Sequence, residues 1–194
     1  MLIILVTSYY LAAQAVEWRA YTPADESFSI EIPRLPVERI LPSDPKSEDP
    51  LEKGVTGWRV RPPGDDDFRY SILRIEFDAM RDAFKKEGMS ERELIDYLAI
   101  MIAGDDDAPR FLSKGKGVRN HGVSGTEYTF IFDDTANKGA LRLYTRSRFF
   151  VREKILFVIK FHGHDASDLS SADAIRFLIS FKILEPKKVP KKDS

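Results

Sequence analysis

Three runs of alternating apolar and polar residues fill the stretch from Gly125 to His164 and set the plan of the chain. Thr126, Tyr128, Phe130 and Phe132 alternate with Glu127, Thr129 and Ile131. Leu141 and Leu143 alternate with Arg142, Tyr144 and Arg146, and Ile155, Phe157, Ile159 and Phe161 follow. A period of two sends successive side chains to opposite faces of a strand, so the pattern predicts an antiparallel meander with one buried face.

Upstream, Trp18 to Tyr21 and Phe28 to Pro33 read as two short strands about the acidic turn at Asp25-Glu26, with Phe28, Ile30 and Ile32 on one face. Pro33 and Pro36 close the second strand, because proline has no N–H to give to a ladder. From Arg34 to Lys53 the prolines Pro36, Pro42, Pro45 and Pro50 and an absence of apolar period predict a long exposed loop. Gly57 to Arg61 and Phe68 to Phe77 are further strands, joined through Pro62-Pro63 and the triplet Asp65 to Asp67.

Ala79 to Glu87 reads as a helical turn or a short helix, and Ser90 to Ala103 as the better helix. Ser90 and Glu93 form a capping box, and Leu94, Leu98, Met101 and Ile102 line a face at helical spacing. Gly104 is the expected stop, and the triplet Asp105 to Asp107 opens the next loop. Phe111 to His121 is strand-like with Lys114, Lys116 and Arg119 outward. Beyond the meander, Ser170 and Asp173 repeat the capping pattern before a short helix with Ile175, Leu178 and Ile179 on its apolar side. The fold class that results is α+β: an antiparallel sheet with a C-terminal meander, flanked by two main helices.

Composition adds limits. With 13 Phe, 7 Tyr and 2 Trp in 194 residues the chain can close a sizeable core. A net charge of -1 gives no global field toward nucleic acid, which is not an expected partner. No cysteine is present, which removes disulfides, thiolate metal sites and thiol nucleophiles together. The apolar run Leu2 to Val6, resumed at Leu11, ends in Ala13-Gln14-Ala15, the small residues of a signal-peptidase site; residues 1–15 are therefore expected to be a signal peptide, although no Lys or Arg precedes Arg19. Residues 16–184 would form one α+β domain outside the cytoplasm, periplasmic or secreted, with no transmembrane span once the leader is removed. Residues 185–194, with four lysines and two prolines, would be a basic disordered tail.

Several short stretches carry a resemblance. Trp18, Tyr21-Thr22-Pro23 and Phe28-Ser29-Ile30-Glu31-Ile32-Pro33 resemble the opening of bacterial exported PsbP-like domains. Asn120-His121-Gly122-Val123-Ser124-Gly125-Thr126-Glu127-Tyr128 resembles their Asn-Gly-x-x-Gly-x-Glu turn and strand with one residue inserted. Ala172 to Phe181 is similar to their closing helix and its Ser-Phe exit. The resemblance implies an antiparallel sheet flanked by helices, as in the oxygen-evolving-complex protein PsbP and a Ran-binding import factor. It implies a binding or assembly module, and it carries no catalytic motif or cofactor onto these positions. Fold alone does not transfer function.

Two clusters hold candidate chemistry. Arg142, Arg146 and Arg148 alternate along one strand with Tyr144 among them, and Lys160 falls on the adjacent strand. Such a guanidinium row suits a small acidic ligand or an acidic protein surface, but it equally suits a solvated strand protected from edge pairing, the preferred reading. His162 and His164 are two apart and could share a metal, giving a metal-assisted hydrolase as an alternative function; a solvated turn at a strand end is preferred. The acidic triplets lack the ligand spacing of a calcium loop. The expectation is an exported non-catalytic binding or assembly module without a cofactor, and a further alternative is a structural domain that touches anionic surfaces through its basic tail.

Overall fold

The structure, a computed structural model, describes residues 17–42, 46, 54–62, 69–103, 110–133 and 142–185. The expected leader, both acidic triplets, Gly104 and the tail beyond Glu185 lie outside the described residues. The strands are β1 (Trp18–Tyr21), β2 (Phe28–Pro33), β3 (Glu38–Ile40), β4 (Val55–Val60), β5 (Tyr70–Glu76), β6 (Arg110–Asn120), β7 (Val123–Asp133), β8 (Arg142–Arg152), β9 (Ile155–Gly163) and β10 (Lys182–Ile183). The helices are α1 (Phe77–Lys86), α2 (Glu91–Ala103) and α3 (Ala172–Ser180), with a 3-10 turn at Ala166–Ser170. The class is α+β.

Seven strands form an antiparallel sheet in the order β3-β4-β5-β9-β8-β7-β6, and β1-β2-β10 form a smaller one. The meander of β7, β8 and β9 is present, with Glu127 opposite Arg148 and Ser147 opposite Lys160. Its expected single buried face is corrected: both faces are covered. On one side α3 and β2 pack Phe28, Ile30, Ile32, Phe177 and Phe181 against Tyr70, Ile72, Phe150 and Phe157. On the other, α1 and α2 set Phe77, Met80, Leu94 and Leu98 against Tyr128, Phe149, Leu156 and Val158. Neighbouring residues such as Phe149 and Phe150 therefore enter different cores, which a sheet buried on both faces requires.

The capping box before α2 is as expected: Ser90 N donates to Glu93 Oε2 at 2.8 Å and Glu93 N donates to Ser90 Oγ at 3.3 Å. The buried face of α2 is Leu94, Ile95, Leu98 and Ala99, whereas Met101 is half exposed. The cap of α3 falls one residue later than Ser170, on Ser171, whose hydroxyl accepts from Ala174 N at 3.2 Å. A capping box exists nearby but belongs to the 3-10 turn, through Asp165 and Asp168. Helix α3 buries Ala174, Phe177 and Leu178 and turns Ile175 and Ile179 outward, the reverse of the expected assignment for those two isoleucines. The stretch from Arg34 to Lys53 is also not wholly a loop: Glu38 to Ile40 form edge strand β3 against Gly57 to Arg59.

Candidate functional site

The arginine row lies on the α3 side of β8, where Arg146 is partly covered and Arg148 fully. Arg148 is buried, and its Nε donates to Glu127 Oε2 at 2.7 Å. Its Nη1 donates to Asn120 Oδ1 at 3.0 Å and to the Leu178 carbonyl of α3 at 3.1 Å. Arg146 Nη2 stands 3.1 Å from Glu127 Oε1, and its Nη1 donates to the Leu169 carbonyl of the 3-10 turn at 2.9 Å. Tyr144 is half-buried against the α3-side core and Arg142 is exposed at the strand's start. A buried carboxylate is held by two guanidiniums, and their remaining donors take carbonyls that a packed helix and turn would otherwise leave unpaired. Burial alone would raise the Glu127 carboxyl, but the hydrogen bonds from Arg148 and Arg146 outweigh it and hold the group below its ordinary range.

This network explains residues noticed in the sequence for another reason. Asn120, which also donates from Nδ2 to the Leu178 carbonyl at 2.6 Å, and Glu127 are its sheet-side anchors. Between them, Gly125 leaves room for neighbours, since a Cβ there would fall 2.5 Å from the Phe149 carbonyl oxygen and 2.5 Å from the Phe150 ring. Ser180, at the helix exit, accepts from Glu31 N at 2.9 Å and donates to the Phe177 carbonyl at 3.0 Å. The Asn-x-x-x-x-Gly-x-Glu stretch and the Ser-Phe exit are thus parts of one fastening between sheet and closing helix.

Lys160 does not join the arginine row. Its pairing partner Ser147 sits between Arg146 and Arg148, so register turns Lys160 to the α1–α2 face. There its Nζ donates to the Ile102 carbonyl in the last turn of α2 at 2.9 Å. A cation at that end complements the helix dipole and its open carbonyls. Beside it lies a cleft of about 290 Å³ whose floor is Ser71, Lys160 and His162, with Ile40, Leu73 and Leu143 as apolar walls and Arg59 at the side. The Nδ1 atom of His162 is 2.7 Å from the buried Thr145 hydroxyl. Burial first and Lys160 second push the imidazole down to about 3, so it is neutral across the physiological range.

The two histidines occupy different settings. His162 lines the cleft, while His164 lies in the exposed bend after β9, where its backbone N–H donates to Asp168 Oδ2 at 3.0 Å. Among the described residues no group of three or more His, Cys, Asp or Glu is assembled as a ligand set. Ser71 and Arg59 were not singled out in the sequence, because each sits in an ordinary alternating strand and acquires its place only through the pairing of β4, β5 and β9.

The architecture just described is shared with a solved protein. The solution structure of cyanobacterial PsbP (CyanoP) from Synechocystis superposes with a TM-score of 0.52 at 11% identity, over 89% of this chain and 96% of that one. The fold is PsbP-like. LpqN, involved in cell envelope biogenesis of Mycobacterium tuberculosis, gives a TM-score of 0.43 at 12% identity over 88% of this chain and 92% of that one. Neither a family model nor a curated protein matches the sequence. At these identities the PsbP-like likeness concerns the fold alone. Among the described residues no helix is long and apolar enough to cross a membrane.

Proposed function

We propose that this PsbP-like chain is an exported, non-catalytic accessory module that binds a small acidic ligand in the cleft over β4, β5, β9 and β8. The observation that carries the reading is a polar floor of Ser71, Lys160 and His162 beside the apolar core under α1 and α2, open to a cavity of about 290 Å³. Polar groups on a sheet face cost desolvation unless they are matched, and a few such groups among apolar walls are the usual make-up of a ligand site. A neutral imidazole and a lysine offer donors to a carboxylate, and Ile40, Leu73 and Leu143 offer contact to a short alkyl group. The Ala13-Gln14-Ala15 leader supports export, and the resemblance to a group made mostly of binding and assembly modules supports an accessory role.

The test is a titration of the chain with hexanoate and, separately, inorganic phosphate, followed through the backbone amide resonances. Hexanoate should shift Ser71, Leu73, Lys160 and His162 saturably, and Lys160→Met should abolish the shifts. No saturable shift with either probe, or unchanged shifts in the Lys160→Met protein, would remove the cleft as the site. Export is tested apart from this by N-terminal sequencing of the protein from the envelope fraction, which should begin at Val16.

A further inference from the structure

At the opposite end of the sheet from the cleft, and on its α3 side, a second cavity of about 250 Å³ opens between the β1–β2 turn, the β8–β9 turn and the end of β10. Its floor is apolar, formed by Ile155, Phe157, Ile183 and Leu184. Two guanidiniums and three carboxylates surround that floor: Arg74 and Arg152, with Asp25, Glu26 and Glu153. A cavity of this size takes a molecule about as large as one amino acid, and it is below the range usual for drug-sized ligands, roughly 300–1,000 Å³.

Hydrogen bonding within the wall is incomplete. Arg74 Nη1 donates to Glu76 at 2.9 Å, but Arg74 Nε is buried and has no hydrogen-bond partner among the described residues, with Asp25 Oδ2 3.9 Å away. A buried donor left unmade is rare in a native structure; the Nε itself is closed to solvent, and the exposed quarter of the Arg74 side chain is what a ligand can reach. Arg152 donates to Glu185, a carboxylate that is 85% exposed, and an ion pair so open to water is readily exchanged for another. Opposite charge is available on the same rim. Asp25 Oδ1 is occupied by Ser27, through its N–H at 3.2 Å and its hydroxyl at 2.9 Å, while Oδ2 has, among the described residues, the long contact to Arg74 alone. Glu153 is exposed and forms no hydrogen bond or ion pair with the described residues. Both Glu26 (φ 50°) and Glu153 (φ 54°) hold left-handed backbone, a conformation that L residues avoid and that collects at binding sites.

A guanidinium, carboxylates across from it and an apolar floor between them complement one kind of molecule. We propose that this cavity binds an apolar α-amino acid such as leucine, its carboxylate received by Arg74, its ammonium by the Asp25 and Glu153 carboxylates, and its side chain on Phe157 and Ile183. A simple anion would meet more carboxylates than guanidiniums in the same wall, and an uncharged apolar molecule would leave the charged rim unmatched. The proposal is independent of the cleft at His162.

The experiment is isothermal titration of the full chain with L-leucine, N-acetyl-L-leucine, L-leucinamide and glycine. L-Leucine should bind saturably. The acetylated compound lacks the ammonium, the amide lacks the carboxylate and glycine lacks the side chain, so each should bind at least about tenfold more weakly. Arg74→Met should abolish leucine binding, and Glu153→Gln, at an exposed position that leaves folding intact, should weaken it about tenfold. Absence of saturable leucine binding, equal affinity for leucinamide or N-acetyl-leucine, or unchanged affinity in both variants would overturn the proposal. Hexanoate shifts at Lys160 report on the other cavity, so either site can fail without the other.

Discussion

Replacing Glu127 by Gln removes the carboxylate that holds both Arg146 and Arg148, and the outcome can be estimated from the geometry. Both side chains of the 2.7 Å pair are more than nine-tenths buried, at 7% and 9% exposure. Removing one partner of a buried ion pair costs about 3–5 kcal/mol, because the other charge stays in low dielectric. Here Arg148 keeps Asn120 and the Leu178 carbonyl as acceptors, and Arg146 is 22% exposed, so the lower end applies. A loss of about 3 kcal/mol lowers the melting temperature of a domain this size by roughly 6–12 °C. The assay is urea unfolding at neutral pH followed by circular dichroism, together with amide exchange across α3. Exchange should quicken there first, because the guanidiniums that bond the Leu178 and Leu169 carbonyls are no longer anchored to the sheet by Glu127. The double variant Glu127→Leu/Arg148→Met should recover much of the loss, since apolar replacement of a whole buried pair is often neutral or better. A Glu127→Gln protein within about 0.5 kcal/mol of the parent would refute a structural role for the network and return the arginines to the list of binding residues.

Other consequences follow from single sites. His162 has a folded-state value of about 3 against 6.5 ordinarily, so between those values the unfolded chain binds the extra proton and acidification removes stability. His162→Gln should flatten unfolding free energy against pH in that window, and the His162 imidazole resonances of the parent should not titrate above pH 5 at about 25 °C. Gly125→Ala places a methyl group 2.5 Å from the Phe149 carbonyl oxygen; a loss of about 2 kcal/mol is expected in the same urea assay. Glu153→Gly relieves a left-handed non-glycine residue at a tight hairpin and should raise stability by about 1 kcal/mol, measured in the absence of amino acids.

How far the sequence discloses this molecule depends on the kind of signal. Alternation in β7, β8 and β9 and the Ser90–Glu93 box are local, and both are present in the structure. Alternation does not say what lies on the polar side. Glu127, Arg146 and Arg148 read as solvated residues because each is charged, yet pairing across strands lets them be buried together. The same limit hides β3 and β10, whose three and two residues are too short for a period, and the Ile175–Ile179 stripe, whose exposure is set by where α3 sits. For the candidate sites, His162 and Lys160 were visible as unusual residues on β9. Arg74 was visible only as one member of an alternating strand, and the cavity it lines arises from three distant segments meeting.

The smaller sheet has a bearing on the order in which the molecule assembles. Strand β2 lies between β1 and β10, and the bond from Glu31 N to the Ser180 hydroxyl spans 149 residues. Loop-closure entropy makes such a contact late and slow. While a chain is being made or threaded from its N-terminus, Phe28, Ile30 and Ile32 can join their core only after the last helix has arrived. The hairpin of β1 and β2 is local, but the apolar face it carries is covered only when the C-terminal segment closes over it.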